Sequence, residues 1–196
     1  MGQVRSAASC AMDLMNMPSR VRLVRSEPLP EDVSLLLRLA AGDSEAERLA
    51  AGITERPAGI NRRAAAFFIE QILLSPDADS YRILGGASTT PVEELRRNMA
   101  LLVRWLHPDV EPSGERSIFA RRVTAAWEDL KTPERRAAYD ASRQAAALHR
   151  AGVKRLGRRQ AAMEETGRMA PLMAPPGVRG LWPRLMAYLF RGRRPG

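Results

Sequence analysis

Two strong helical patterns flank a short polar stretch near the middle of this chain, and they constrain its fold more than any other feature. Upstream, residues 90–106 predict a helix, because Thr90, Pro91 and Glu93 form a capping box with proline at the first helical position. Downstream, residues 117–131 predict a second helix, since apolar side chains recur there at helical spacing. Those side chains are Phe119, Val123, Ala126, Trp127 and Leu130.

Two shorter patterns complete the central region. Residues 81–85 predict a short apolar helical turn that glycine ends. Thr132 and Pro133 begin a third helix, again with a capping residue directly before proline. Because the whole chain is rich in helix-forming residues and has few strand-like runs, the sequence predicts an all-α fold.

Taken in order, these elements resemble the J-domain, the module of DnaJ-type co-chaperones. The family pattern is Tyr-x-x-Leu-Gly, a basic helix, a His-Pro-Asp loop, an apolar helix with Phe and an Ala–aromatic pair, and then Arg-x-x-Tyr-Asp. The matching residues are Tyr81, Leu84 and Gly85; Arg96, Arg97 and Arg104; His107, Pro108 and Asp109; Phe119, Ala126, Trp127 and Leu130; and Arg136, Tyr139 and Asp140. The resemblance covers about residues 79–143 and implies a bundle built on a long antiparallel helix pair with short flanking helices.

The His-Pro-Asp tripeptide suits recognition better than catalysis. His107 and Asp109 are residue types used in acid–base chemistry, but the sequence shows no nucleophile elbow, phosphate-binding glycine loop or metal-ligand cluster. Pro108 fixes its own backbone and holds His107 out of the helical region, so the two polar side chains keep a set relation. Asp109 is an anionic acceptor suited to a partner's arginine. We therefore expect no enzymatic activity, no cofactor and no bound metal.

The resemblance implies that the partner is a DnaK-type heat-shock chaperone in its ATP state, whose ATP hydrolysis the loop promotes. It also implies a second contact, between the basic helix face of Arg96, Arg97 and Arg104 and an acidic patch on the chaperone. The alternative for these arginines is an ordinary solvated helix face. Packing in the core is the role predicted for six further residues: Tyr81, Leu84, Phe119, Trp127, Leu130 and Tyr139.

The segments around this module are assigned from their patterns. Residues 1–28 show no period and predict a mobile leader, whereas residues 29–78 predict a helical extension. After the J-like residues 79–143, residues 144–180 predict a basic linker, and residues 181–196 an amphipathic basic segment. The extension either binds a client or partner, or enlarges the core of the module.

Within the extension, three short helices are predicted. The first opens near Leu29, Asp43 or Ser44 caps the second, and Asn61 caps the third, which runs from residue 62 to residue 74.

The net charge of +9 resides in the last quarter of the chain, where residues 144–196 carry eleven basic and two acidic groups. One helical face of the final segment is apolar and lies beside arginines. Its residues are Trp182, Leu185, Met186, Leu189 and Phe190. Such a helix suits an anionic membrane surface or a groove on a protein, and a disordered solvated tail is the third alternative. Nucleic acid is a less favoured partner, because aromatic residues are sparse and no recognition motif is present.

Cys10 is the only cysteine, so a disulfide within the chain and a cysteine-based zinc site are excluded. No apolar run approaches the length that spans a bilayer, and the start lacks the apolar core of a secretory signal.

We expect a cytoplasmic co-chaperone, with contact to the inner membrane surface as an option, that brings the chaperone to an unknown client. A J-like adaptor without productive stimulation is the rival, because three residues depart from the family pattern. Arg104 stands where an apolar residue is usual, Trp105 where a basic residue is common, and Val110 where Lys or Arg is usual.

Overall fold

The structure, a computed structural model, describes residues 6–107 and 114–168, and every regular element in these ranges is helical. A 3₁₀ turn at Pro18–Arg20 precedes α2, and a π-helical turn at Ile69–Leu73 follows α5. The α-helices are α1 (Ala7–Asn16), α2 (Val21–Ser26), α3 (Val33–Ala40), α4 (Ser44–Thr54), α5 (Ala58–Phe68), α6 (Ser80–Ile83), α7 (Val92–Trp105), α8 (Gly114–Leu130) and α9 (Pro133–Arg168). The predicted all-α class is confirmed.

Two compact units divide the chain, residues 1–143 and residues 144–196. The first contains the hydrophobic core, to which helices α1–α8 contribute buried side chains. In the second, the described residues continue α9, and their described side chains are exposed. Across the described ranges, no helix combines the length and the apolar character needed to cross a membrane.

The prediction of a mobile leader is wrong for its described part. Helix α1 buries Ala7, Ala11 and Leu14 almost completely and packs chiefly on α5. Its first turn is capped by the Ser6 hydroxyl, which accepts a hydrogen bond from the Ser9 backbone N–H. The buried side chains recur at helical spacing, but alanine is too small to mark an apolar stripe in a sequence, although it lets two helices approach closely.

The helices of the extension form, with two corrections at their starts. Helix α3 begins only at Val33, after Asp32 in the left-handed region. Asn61 does not cap a helix, because α5 already begins at Ala58, directly after Pro57. The buried Asn61 amide instead donates to the Arg56 carbonyl and accepts from the Thr54 hydroxyl.

The starts of the later helices differ in how well the sequence predicted them. Helix α9 begins at Pro133 as predicted, with the Thr132 hydroxyl accepting from the Arg135 backbone N–H. The capping box at the start of α7 is wrong, because Pro91 itself occupies the N-cap and the Thr90 hydroxyl accepts from the Ala87 N–H.

The predicted linker over residues 144–180 is wrong up to residue 168, because α9 continues through Gly152 to Arg168. The alanines and arginines around this glycine are strong helix formers, and they offset its cost of about 1 kcal/mol. Residues 169–196 lie outside the described residues. The predictions for the apolar face of the final segment therefore stay predictions; its residues are Trp182, Leu185, Met186, Leu189 and Phe190.

Arginine side chains join residues of the first 78 positions to the J-like residues. From α8, the Arg122 guanidinium donates to the backbone carbonyls of Leu74 and Ser75, where the π-helical turn ends. From α6, the Arg82 guanidinium donates to the carbonyls of Val24 and Glu27 at the end of α2. Since the last carbonyls of a helix have no partner within the helix itself, these arginines supply charged donors where the helical bonding stops.

Apolar packing joins the same parts of the molecule. Gly85, with φ of +67°, follows α6, and a Cβ there would lie 3.0 Å from Val33 and 3.4 Å from Leu37 of α3. The buried Asn98 of α7 donates to the carbonyl of Leu84, the residue before Gly85. Residues of the extension and of the J-like module thus share one core.

Low pH should weaken the N-cap of α4, because its capping group is the carboxylate of Asp43. The Asp43 carboxylate accepts from Arg38 at 2.7 Å and from the backbone N–H groups of Glu45 and Ala46. The Arg38 guanidinium, helped by these N–H groups, lowers the pKa of Asp43 to about 2. Because this folded-state pKa lies below the unfolded value, the stabilisation is complete at neutral pH and is lost as the pH falls towards 2.

Asp43→Asn keeps a capping oxygen but removes the charge. We expect this variant to melt below the parent near pH 6 and the two melting curves to converge near pH 2. Thermal melts across this range measure the effect. A gap of constant size at every pH would show that the carboxylate charge contributes nothing.

Candidate functional site

Helix α7 has one face in the core and one basic face in solvent. Leu95, Leu102 and Trp105 are buried, and Met99 packs partly against the core. Three arginines lie on the exposed face: Arg96, Arg97 and Arg104. The helical repeat accounts for this separation, because the exposed positions recur three and four residues apart.

His107 lies one turn beyond Arg104, and its side chain is exposed. The helix ends at Trp105, with Leu106 as its C-cap, and the His107 backbone N–H still donates to the Arg104 carbonyl at 3.4 Å. The structure therefore brings His107 to the end of the helix that carries the basic face. Pro108 and Asp109, the other two residues of the predicted loop, lie outside the described residues.

The burial of Trp105 explains how α7 accommodates Arg104, the residue before it. Only 5% of the Trp105 surface is exposed, so its ring supplies apolar packing at the end of the helix. Arg104 can then point to solvent with the other arginines, in a place where the family pattern has an apolar residue. The spacing of Trp105 from Leu102 was the signal that could have assigned Trp105 to the core.

Arg116, near the start of α8, closes the end of α7 and was not singled out from the sequence. Its Nη1 donates to the Trp105 carbonyl at 2.8 Å, and its guanidinium carbon lies 5.0 Å from the centroid of the Trp105 ring. Both contacts reach across the chain that separates the two helices. No sequence period predicts such a pairing.

The residues expected to pack in the core fall into two groups. Tyr81, Leu84 and Leu130 are buried. Phe119, Trp127 and Tyr139 are half-buried and contact the buried cluster from its edge.

Two motifs that are far apart in sequence meet between α6 and α9. The Tyr81 hydroxyl donates to the Asp140 carboxylate at 3.0 Å and accepts from Arg136 at 3.0 Å. The Tyr139 hydroxyl accepts from the Ser80 backbone N–H at 2.7 Å. Burial, reinforced by the Asp140 carboxylate, raises the pKa of Tyr81, so its hydroxyl stays protonated and remains a donor. These bonds hold α6 against the start of α9.

The candidate site is therefore a surface rather than a pocket. A cavity of about 480 Å³ opens beside Arg82 and Asp79, but neither His107 nor the three exposed arginines of α7 line it. Among residues 6–107 and 114–168, no group of three or more histidine, cysteine or acidic side chains is arranged to hold a metal. An exposed basic face that ends in an exposed histidine is suited to docking on an acidic protein surface.

Comparison with known proteins points to the same module. The chain is similar to the chaperone protein DnaJ of Leifsonia xyli subsp. xyli, with 38% identity over 63 residues. It is also similar to the curved DNA-binding protein of three strains of Coxiella burnetii, with 40% identity over 65 residues. No protein-family profile matches the chain, and no solved structure matches it significantly.

Each similarity covers 32% of this chain but only 17% to 20% of the relative, so the chain matches about a fifth of the length of these curated proteins. Together with the helical fold, the similarities support a J-domain within the chain. The predicted resemblance to the J-domain family is confirmed.

Proposed function

We propose that this chain is a J-domain co-chaperone that binds a DnaK-type heat-shock chaperone and stimulates its ATP hydrolysis. One observation carries the proposal: a chain that is similar to DnaJ over 63 residues presents exposed His107 at the end of an exposed basic helix face. The residues proposed to contact the chaperone are His107, Pro108, Asp109, Arg96, Arg97 and Arg104.

In this proposal the chain is not itself an enzyme, because the reaction takes place in the partner's active site. A binding protein can accelerate that reaction only by binding one conformation of the chaperone more tightly than another. A tenfold stimulation requires a difference of about 1.4 kcal/mol in binding free energy between the two conformations. A few charge-assisted hydrogen bonds from a preorganised surface can supply a difference of that size.

The arginines provide the electrostatic part of the interaction. They are exposed, so their attraction to an acidic patch should raise the association rate and weaken as salt is added. The helices of the extension leave this face open, because α3 packs on α7 while Arg96, Arg97 and Arg104 stay exposed. Nothing in residues 6–107 and 114–143 covers the arginines.

Reversing part of the basic face tests the proposal. With Arg96→Glu and Arg97→Glu combined, we expect the concentration for half-maximal stimulation to rise about tenfold at low salt, because attraction becomes repulsion. The difference from the parent should shrink as salt is added. Single-turnover ATP hydrolysis by the DnaK-type chaperone of the same cell, titrated with the full chain, measures both effects.

The matched control combines Arg48→Glu with Arg63→Glu, two exposed arginines of the extension. This control changes the net charge by the same amount and should stimulate like the parent. Equal losses in the two double variants would mean that only the overall charge matters. Absence of stimulation by the parent at saturating concentration would favour the adaptor without productive coupling.

The flanking segments are proposed to choose the client and the cellular location. A cytoplasmic protein whose final segment contacts an anionic membrane or a partner groove fits the sequence of residues 181–196. A second candidate function is nucleic-acid binding. It is supported by the similarity to the curved DNA-binding protein of Coxiella burnetii and by the positive charge of residues 144–196. It ranks lower because the similarity covers only 20% of those relatives. Salt-dependent binding to duplex DNA would support it.

A further inference from the structure

Arg116 contacts the end of α7 in two ways, through the Trp105 carbonyl and through the Trp105 ring. We propose that Arg116 is a positioning residue that holds the His107 end of α7 in the orientation that docks on the chaperone. This inference rests on the proposed function.

The contact to the carbonyl satisfies a group that the helix itself leaves open. The last four carbonyls of a helix have no N–H partner within it, and Trp105 is the final residue of α7. A cation at this end is also favourable because the helix dipole is negative there. A guanidinium 2.8 Å from the Trp105 oxygen provides the donor and the charge together.

The contact to the ring ties Arg116 to the core. Trp105 is 95% buried, so its ring has a fixed place in the packing of α7. The guanidinium carbon 5.0 Å from the ring centroid adds a cation–π interaction. Arg116 thereby links the start of α8 to Trp105, which lies two positions before His107. Trp105 cannot shift without disturbing the core.

The contacts between Arg116 and Trp105 restrict the orientations available to His107. Only residues 107–113 separate the C-cap of α7 from the start of α8. A connection whose ends are held in place has fewer conformations than one whose ends can move apart. If a smaller fraction of molecules presents His107 correctly, the apparent affinity for the partner falls by that fraction.

The chemistry requires arginine at this position. Its planar guanidinium can donate in its plane to the carbonyl and present its face to the indole at the same time. A lysine ammonium retains the positive charge and can reach one of the two groups, but it does not combine both geometries. Arg116→Lys should therefore restore only part of the function lost in Arg116→Gln.

The test compares full-length Arg116→Gln, Arg116→Lys and the parent in single-turnover ATP hydrolysis by the DnaK-type chaperone. We expect Arg116→Gln to raise the half-maximal concentration about fivefold, with the maximal rate nearly unchanged, and Arg116→Lys to lie between. Arg48→Gln, at an exposed position of α4, should match the parent. In the same samples, hydrogen exchange of the peptide spanning residues 104–116 should accelerate in Arg116→Gln while that of α6 stays as in the parent.

Two results would overturn the proposal. One is an Arg116→Gln protein with the parent's half-maximal concentration, and the other is a loss of stimulation that follows a general drop in melting temperature and exchange protection. His107→Gln, measured alongside, separates this inference from the function it rests on. If His107→Gln abolishes stimulation and Arg116→Gln does not weaken it, only the positioning role fails. If His107→Gln stimulates like the parent, the proposed function itself fails.

Discussion

Replacing His107 by glutamine in the full chain is expected to reduce stimulation of the chaperone's ATP hydrolysis at least tenfold and to leave the fold intact. His107 is exposed at the end of α7 and takes no part in the buried core, so the substitution should change the free energy of unfolding by less than about 0.5 kcal/mol. Glutamine is polar but lacks the imidazole ring. A tenfold loss corresponds to about 1.4 kcal/mol of preferential binding to the hydrolysis-competent conformation. Single-turnover hydrolysis and a thermal melt of the same sample measure the two quantities.

The chain provides a matched control, because it contains one other histidine. His149 is exposed in α9, and His149→Gln makes the same chemical change within the second unit. We expect this variant to equal the parent in stimulation and in melting temperature. If both histidine variants stimulated like the parent, the proposed co-chaperone activity would be wrong. If both lost activity equally, the loss would belong to a general effect of the substitution.

The sequence predicted the central helices well, because their signals are local. The helical spacing of Phe119, Val123 and Trp127 indicated α8, and the capping residue before Pro133 marked the start of α9. The first helix was missed because its buried residues are mainly alanines. Alanine carries too little apolar surface to distinguish a helix packed in the core from an unstructured leader, so only the fold reveals the close packing of α1 on α5.

The candidate site was predictable only in part. Helical spacing accounts for the shared exposure of Arg97 and Arg104, seven residues apart on α7. The contacts of Arg116 and Arg122 were not predictable, since both donate to backbone carbonyls of distant residues. Every residue has such a carbonyl, so the acceptor leaves no trace in the sequence. The donors also do not stand out in a chain with 31 lysine and arginine residues.

The shared core leads to a second large effect, on stability. A chain that begins at residue 79 should lose on the order of 4 kcal/mol or more of unfolding free energy relative to the full chain, a large share of the 5–15 kcal/mol typical of domains. It loses the carbonyls that Arg82 and Arg122 bind and the side chains of Val33 and Leu37 that cover Gly85. Each charge-assisted hydrogen bond or buried apolar side chain contributes roughly 1.5–3 kcal/mol. Urea unfolding of the two chains measures the difference.

Point variants distinguish the loss of contacts between the extension and the J-like module from a general effect of truncation on stability. Arg122→Met in the full chain removes both bonds to the end of the π-helical turn, and we expect it to lower the unfolding free energy by about 2 kcal/mol. Its neighbour Arg121 is exposed on the same helix, so Arg121→Met should stay within about 0.5 kcal/mol of the parent. A truncated chain as stable as the parent, together with an Arg122→Met protein that melts like Arg121→Met, would show that the extension is a separate domain. The expected pair of losses instead makes the extension part of the folding unit that presents His107, so deleting the extension would reduce stimulation through loss of folded protein.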